Sequence, residues 1–214
     1  MGSIVENPST IRQDGGGRLT PAQLINQDSG DTEYYTPAEI VEAARAVMGG
    51  IDLDPASSPV ANQRVGAARI YTAADDGLSL PWRGRVWMNH PFSRENNKVW
   101  PRKLVAEYRA GNVDQACCIT FAATSEEWFQ PLYDFPMCFL SPRTGYIVPS
   151  GGKKPGATKG SVVTYFGPRV ATFAGVFSAL GRVMIPTLIL ADYGNPAGVR
   201  SLQLSIFGGG YEQI

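Results

Sequence analysis

The apolar residues near the start of the chain follow a helical pattern. Between Thr36 and Gly49 they recur every three to four positions, which predicts one amphipathic helix. Thr36 can cap this helix, Pro37 fits its first helical position and Glu39 can complete a capping box. Gly49 and Gly50 follow the last apolar position of the pattern, so we expect the helix to end there.

Shorter apolar runs farther along the chain predict the strands of a sheet. The predicted strands are 51–54, 68–72, 86–88, 116–121, 137–140 and 161–166. Further helices are expected over 98–110, where Pro101 is tolerable only in the first turn, and from Thr124, as a second cap, to Leu132. Strands that alternate with helices in this way favour an α/β fold.

Both ends of the chain lack these patterns. Residues 1–31 are rich in glycine and polar residues, with few apolar ones, and are expected to form a flexible leader. Residues 32–186 contain every predicted strand and helix, which is an ordinary length for one domain. Residues 187–214 hold one apolar run and are expected to be a C-terminal extension, to which the pattern assigns no role.

The composition is that of a soluble globular protein, with 43% hydrophobic and 18% charged residues. No apolar run reaches the roughly 18 residues that span a bilayer, and the first ten residues lack the features of a secretory signal, so we expect a cytoplasmic protein. Cys117, Cys118 and Cys138 lie in apolar runs and are expected to be reduced and buried. His90 is the single histidine of the chain, and no metal site is expected.

The net charge is zero, with 19 basic and 19 acidic residues. A diffuse cationic surface is therefore excluded, and any binding of nucleic acid has to use local contacts. The candidate DNA-binding residues are Arg94, Lys98, Arg143, Lys153, Lys154 and Lys159. Each of them is equally compatible with an ordinary solvated surface charge.

Unusual polar residues follow two of the predicted strands. Asp54 ends the strand 51–54, and Asn89-His90-Pro91-Phe92 directly follows Val86-Trp87-Met88. Ligands of open α/β sheets bind beyond the carboxyl ends of the strands, so both positions should face one cleft. Asp54 can accept hydrogen bonds from a nucleoside cofactor, or it can simply form a turn before Pro55, and Asp52 is expected on the same face of the strand.

The loop 89–92 suits the methylation of an exocyclic amine. Such an amine is a poor nucleophile, because its lone pair is delocalised into the ring, and acceptors that hold its hydrogens favour the reactive form. The side-chain oxygen of Asn89 and the backbone carbonyl of His90, which Pro91 restrains, can be those acceptors. Phe92 offers a face on which a flipped base can stack.

Four motifs in the same order resemble the phage-type, Dam-like family of DNA N6-adenine methyltransferases. They are Thr36-Pro37, Asp52-Leu53-Asp54-Pro55, Asp76-Gly77-Leu78 and Asn89-His90-Pro91-Phe92. The resemblance covers about residues 34–166. It implies a Rossmann-like, three-layer αβα fold with a mainly parallel sheet, S-adenosylmethionine as methyl donor and adenine in DNA as acceptor.

The resemblance also assigns roles to residues. It places Thr36, Pro37, Asp52, Asp54 and Asp76 at the cofactor, and it places Asn89, His90, Pro91 and Phe92 at the reacting base. The chain departs from the family in two respects. The family has proline where this chain has His90, and Ala56-Ser57-Ser58 stands where many methyltransferases have a glycine-rich motif.

These departures leave several interpretations open. His90 could contact phosphate or the cofactor, could accept a proton, or could have no catalytic task. The same loop chemistry would serve a methyltransferase acting on cytosine N4, on RNA or on a small amine. A relative that has lost activity and only binds DNA or a partner is the alternative from another functional class.

Overall fold

The computed structural model describes residues 34–147 and 159–186. These residues form one seven-stranded sheet with helices on both faces. The predicted leader 1–31 and the predicted extension 187–214 lie outside the described residues. None of the helices in the described part has the length and apolar character needed to span a bilayer.

The elements alternate along the chain much as the sequence predicts. In chain order they are α1 (Ala38–Met48), β1 (Leu53–Asp54), α2 (Pro59–Val65), β2 (Arg69–Ile70), β3 (Gly84–Met88), α3 (Arg94–Arg109), β4 (Val113–Phe121), a 3-10 helix (Glu127–Asp134), β5 (Met137–Leu140), β6 (Ser161–Phe166), α4 (Val170–Phe177) and β7 (Gly181–Met184). The short elements α2, α4 and β7 were not predicted.

The sheet is mixed, so the expectation of a mainly parallel sheet is wrong. Its strand order is β2-β1-β3-β4-β6-β5-β7. Three pairings among the described strands are parallel, β1 with β2, β1 with β3 and β3 with β4, and the other three are antiparallel. The reason is that β6 runs back between β4 and β5, against the direction of both, and β7 pairs antiparallel with the outer side of β5.

The side chains of the central strands point alternately to the two faces of the sheet, and each face has its own apolar layer. On β3, Trp87 packs with α1 and α4, whereas Val86 and Met88 pack with α3 and the 3-10 helix. On β4, Cys117 and Cys118 divide between the two layers in the same way, and both are buried free thiols. The described part of the chain therefore has the three-layer αβα arrangement expected.

The start of α1 differs from the prediction. Pro37, not Thr36, occupies the N-cap position, and no side chain caps the helix. Glu39 is exposed, so the predicted capping box does not form. At the other end the prediction is confirmed, since Gly49 adopts the left-handed conformation with φ of 79° and its amide bonds to the carbonyl of Arg45.

Two further helix predictions need correction. Helix α3 begins at Arg94, four residues before the predicted start, because the side chain of Ser93 caps it by accepting a hydrogen bond from the amide of Asn96 at 3.2 Å. Pro101 consequently lies in the helix interior, where it is buried. Thr124 does not cap an α-helix, and the segment from Glu127 forms a 3-10 helix that contains Pro131.

Candidate active site

A cavity of about 280 Å³ lies beyond the carboxyl ends of β1 and β3. These strands are parallel neighbours, with Leu53 paired to Val86, so the residues that follow them meet at one edge of the sheet. The lining residues include Tyr34, Thr36, Asp54, Ser57, Arg64, Asp76, Trp87, Asn89, His90, Pro91, Asn96 and Trp100. Both strand-end positions selected from the sequence thus reach the same cavity.

Asn89 is held by a single defined hydrogen bond. Its Nδ2 donates to the backbone carbonyl of Tyr34 at 2.6 Å. The amide nitrogen is therefore engaged, and the other side-chain atom, Oδ1, is buried without a partner in the part of the chain that the structure describes. A buried acceptor without a donor costs free energy unless a ligand supplies one, which makes Asn89 Oδ1 a candidate binding group.

His90 is almost fully enclosed, with 1% of its surface exposed. Its Nε2 lies 2.9 Å from Oδ1 of Asn97 on α3. A neutral ring that donates to this oxygen carries its proton on Nε2. Burial lowers the pKa of His90 to about 4, against a smaller opposing effect of the Asn97 hydrogen bond. Its Nδ1 is buried and has no partner among the described residues.

Phe92 is not a lining residue of the cavity, contrary to its predicted stacking role. Its ring is 5% exposed and packs against three other rings, with centroid distances of 5.3 Å to His90, 4.5 Å to Phe121 and 5.7 Å to Tyr146. Pro91, the residue before it, does line the cavity. Phe92 therefore supports the loop from beneath, and its ring does not present a face to a bound base.

Asp54 is the buried carboxyl group of the site, with 2% of its surface exposed. Its Oδ1 accepts a hydrogen bond from the amide of Ala56 at 3.2 Å. Burial raises the pKa of Asp54 to about 7, although the nearby hydroxyl of Ser57 and the amide of Ala56 act in the opposite direction. A ligand that donates hydrogen bonds or carries positive charge would bring this carboxyl group to its ionised form.

Asp52 does not line the cavity, although it was expected to share the site with Asp54. Its carboxylate binds Arg85 at 2.6 Å and 2.8 Å, and Arg85 also donates to the carbonyl of Gly49 at 2.6 Å. The hydrogen bond to the Arg85 side chain lowers the pKa of Asp52. Asp52 therefore ties the end of α1 to β3 and lies outside the lining of the cavity.

Of the other predicted cofactor residues, two line the cavity and one does not. Thr36 lines the cavity, and its hydroxyl is buried without a partner in the described segments, whereas Pro37 caps α1 and is not among the lining residues. Asp76 also lines the cavity, in a left-handed conformation with φ of 51°. The next residue has to be glycine, since a β-carbon at Gly77 would overlap the carbonyl oxygen of Pro55.

The predicted DNA-binding residues that the structure describes lie near the same edge of the sheet. Arg94 and Lys98 are in the first two turns of α3, where Lys98 pairs with Glu95 at 2.9 Å. Arg143 follows β5, and the ammonium of Lys159 lies 5.5 Å from the ring centroid of Phe121. Lys153 and Lys154 lie outside the described residues.

Several lining residues were missed in the sequence, among them Trp87, Arg64 and Tyr34. Trp87 stands two positions before Asn89 on an extended segment, so alternation could have placed it on the side of Asn89, and its indole Nε1 is buried without a partner in the described ranges. Arg64 belongs to α2, a helix too short to predict from periodicity. Tyr34 precedes the first predicted element, and nothing in its surroundings in the sequence marks it.

The residues available within the described ranges do not suggest a metal centre, since no three His, Cys, Asp or Glu side chains are grouped to hold an ion. Among curated proteins, none matches the chain. The family model for DNA N-6-adenine-methyltransferase (Dam) matches residues 25–176, well over half of the 214 residues. With the strand-end residues 89–91 lining a cavity, the chain belongs to the DNA N-6-adenine-methyltransferase (Dam) family.

Proposed function

We propose that this protein transfers a methyl group from S-adenosylmethionine to the exocyclic amino group of an adenine that has left the DNA helix. The observation that carries the proposal is Oδ1 of Asn89, which is buried without a partner among the described residues and belongs to a residue that lines the cavity. The engaged Nδ2 fixes the amide, so that this residue presents an acceptor. An acceptor of this kind is what an amine needs in order to react through its lone pair.

The cavity residues fit the proposed cofactor. S-adenosylmethionine supplies, when bound, a methyl group on a positively charged sulfur. Asp54 would accept hydrogen bonds from its hydroxyl or ammonium groups, and the hydroxyl of Thr36 and the carboxylate of Asp76 would border it. The buried hydroxyl of Thr36 lacks a partner in the described residues, as a group that contacts a ligand would.

The loop 89–92 would hold the base. Asn89 Oδ1 accepts one hydrogen of the amino group, and the backbone carbonyl of His90 accepts the other. Pro91 restrains the conformation of His90, and Phe92 anchors the loop in the apolar layer beneath. Since Phe92 is enclosed, the stacking surface is assigned to a lining residue, and the half-buried ring of Tyr34 is the candidate.

The duplex would lie across the edge of the sheet where the cavity opens. Lys159, Arg143 and Arg94 surround this edge and would contact phosphates, together with Lys98, Lys153 and Lys154. The chain has no net charge, so these local contacts and the extruded base have to supply most of the affinity.

Nucleoside mass spectrometry tests this function. Unmethylated duplex DNA is incubated with the protein and S-adenosylmethionine, digested and analysed, and we expect N6-methyldeoxyadenosine. N4-methyldeoxycytidine as the product would contradict the choice of adenine. No methylated nucleoside on DNA of varied sequence, combined with no heat of cofactor binding by calorimetry, would indicate a relative that has lost activity.

A further inference from the structure

His90 connects the lining of the cavity to a residue that does not line it. His90 lines the cavity and is 1% exposed, and its Nε2 is bound by Asn97 Oδ1 at 2.9 Å. Asn97 itself is not a lining residue, although its neighbour Asn96 is. The hydrogen bond to Asn97 therefore uses Nε2 and leaves Nδ1, which is buried, for a partner other than the described residues.

Asn89 and His90 are consecutive and provide two buried side-chain acceptors, Oδ1 and Nδ1, neither with a partner among the described residues. The two acceptors differ in whether they can take up a proton. An amide oxygen accepts a hydrogen bond but does not hold a proton at neutral pH, whereas a neutral imidazole nitrogen accepts the proton itself. The methylated nitrogen has to lose a proton, and a neutral imidazole nitrogen beside it can receive that proton.

We propose that His90, held by Asn97 in the tautomer that carries its proton on Nε2, accepts through Nδ1 the proton that the target amino group loses. This role rests on the proposed function and gives it a proton acceptor. In that role Asn97 is a positioning residue, since it acts only through His90.

Two bonds form and two bonds break in this reaction. The lone pair of the amino nitrogen forms the bond to the methyl carbon, and the bond between that carbon and sulfur breaks with its electrons remaining on sulfur. The N–H bond of the hydrogen that the His90 carbonyl accepts before the transfer breaks, its electrons stay on nitrogen, and the proton moves to Nδ1 of the same residue. The imidazolium later releases the proton to water, and the ring is neutral again.

The surroundings of His90 suit a transient proton acceptor. Burial lowers the pKa of His90 to about 4, so the ring is neutral and able to accept before each turnover. A methylated and still fully protonated aminopurine nitrogen is a much stronger acid than an imidazolium, so the transfer is downhill. Asn97 Oδ1 remains bound to Nε2–H throughout and stabilises the charged ring.

The tautomer can be measured without any activity. His90 is the single histidine, so untagged protein labelled with ¹⁵N-histidine gives one imidazole signal set by NMR. At pH 7 we expect a neutral ring protonated on Nε2, and in Asn97→Leu a shift of population toward protonation on Nδ1. A wild-type ring that is charged, or protonated on Nδ1, would overturn the proposal.

Single-turnover methyl transfer tests the role itself. His90→Asn keeps an amide near the place of Nδ1 but does not hold a proton, and we expect a loss of roughly 10²-fold or more in rate with nearly unchanged cofactor affinity. Asn97→Leu should also be slow, and Asn97→Asp, which still accepts from Nε2–H, should restore most of the rate. A wild-type rate in His90→Asn overturns the role of His90 alone, whereas a wild-type protein that methylates no DNA overturns the proposed function.

Discussion

Asp54 differs from an ordinary surface carboxyl group because burial raises its pKa to about 7. If the proposed cofactor binds beside it, hydrogen-bond donors and positive charge favour the ionised form and lower that pKa. Binding near pH 6.5 should therefore release up to one proton from Asp54. Calorimetry in two buffers of different ionisation enthalpy measures this release.

Asp54→Asn is the matched control, because it keeps the size of the side chain and has no proton to release. We expect its proton release to be close to zero. Equal proton release by the wild type and by Asp54→Asn would show that Asp54 does not respond to the cofactor.

Phe92 belongs to the loop that follows β3, and its ring is enclosed by other aromatic rings. The enclosed ring predicts a structural effect, since Phe→Ala in a core typically costs about 3–5 kcal/mol of unfolding free energy. Phe92→Ala should lower stability in urea by that order, and Phe92→Leu by clearly less. A Phe92→Ala protein of unchanged stability but slowed methyl transfer would instead support a stacking role.

At the residue scale, the sequence predicted those features that depend on neighbours along the chain. Asn89 was recognised because a polar residue ends an apolar strand, and the cavity does lie there. The pairing of Asp52 with Arg85 joins residues 33 positions apart, so no local pattern indicated it. The enclosure of Phe92 by Phe121 and Tyr146 is equally a product of tertiary packing.

At the scale of elements, the first two turns of α3 position two residues at the site. Ser93 caps the helix, and the first two turns place Asn96 at the cavity and Asn97 at His90. Ser93→Ala should therefore lower the unfolding free energy by about 0.5–2 kcal/mol and also slow methyl transfer. Urea unfolding and single-turnover assays measure the two effects.

Ser93→Asn serves as the control for this cap, because asparagine is also a preferred N-cap residue. We expect it to retain most of the stability and most of the rate. If Ser93→Ala matched the wild type in both measurements, the cap would not be what positions Asn96 and Asn97.

The errors in the predicted elements have physical causes. Pro101 suggested a helix start, because proline is favoured in a first turn, but the cap at Ser93 begins α3 earlier and leaves Pro101 buried in the helix interior. Thr36 suggested a cap, whereas it lines the cavity and its hydroxyl has no partner in the segments that the structure describes. Helix α1 itself was predicted well, because eleven residues give a periodic pattern long enough to recognise.

At the scale of the whole molecule, the zero net charge limits how DNA can be bound. Lys159 lies near the loop 89–92, so Lys159→Ala should weaken DNA binding and reduce the slope of log affinity against log salt by about 1. Titration of labelled duplex at several salt concentrations measures both.

Arg109→Ala is the matched control for charge, since Arg109 ends α3 at the far edge of the sheet and pairs with Asp134. Its removal should leave the salt slope unchanged. Equal effects of Lys159→Ala and Arg109→Ala would show that DNA binds without preference for the edge that carries the cavity.

The fold class was predictable from alternating elements, but the directions of the last strands were not. Apolar runs such as 137–140 and 161–166 indicate strands without indicating partners. The position of β6 between β4 and β5 depends on pairing between strands that are distant in the sequence. The carboxyl edge of β1 and β3 was nevertheless located correctly, because those two strands are parallel neighbours.

The most direct test of the central claim is the rate of a single turnover of methyl transfer to DNA by Asn89→Ala, with cofactor affinity measured in parallel. Asn112→Ala, at the opposite edge of the sheet beside the start of β4, is the control. We predict that Asn89→Ala loses roughly 10²-fold or more in rate with nearly unchanged cofactor affinity, while Asn112→Ala keeps the wild-type rate. A wild-type rate in Asn89→Ala would contradict the account.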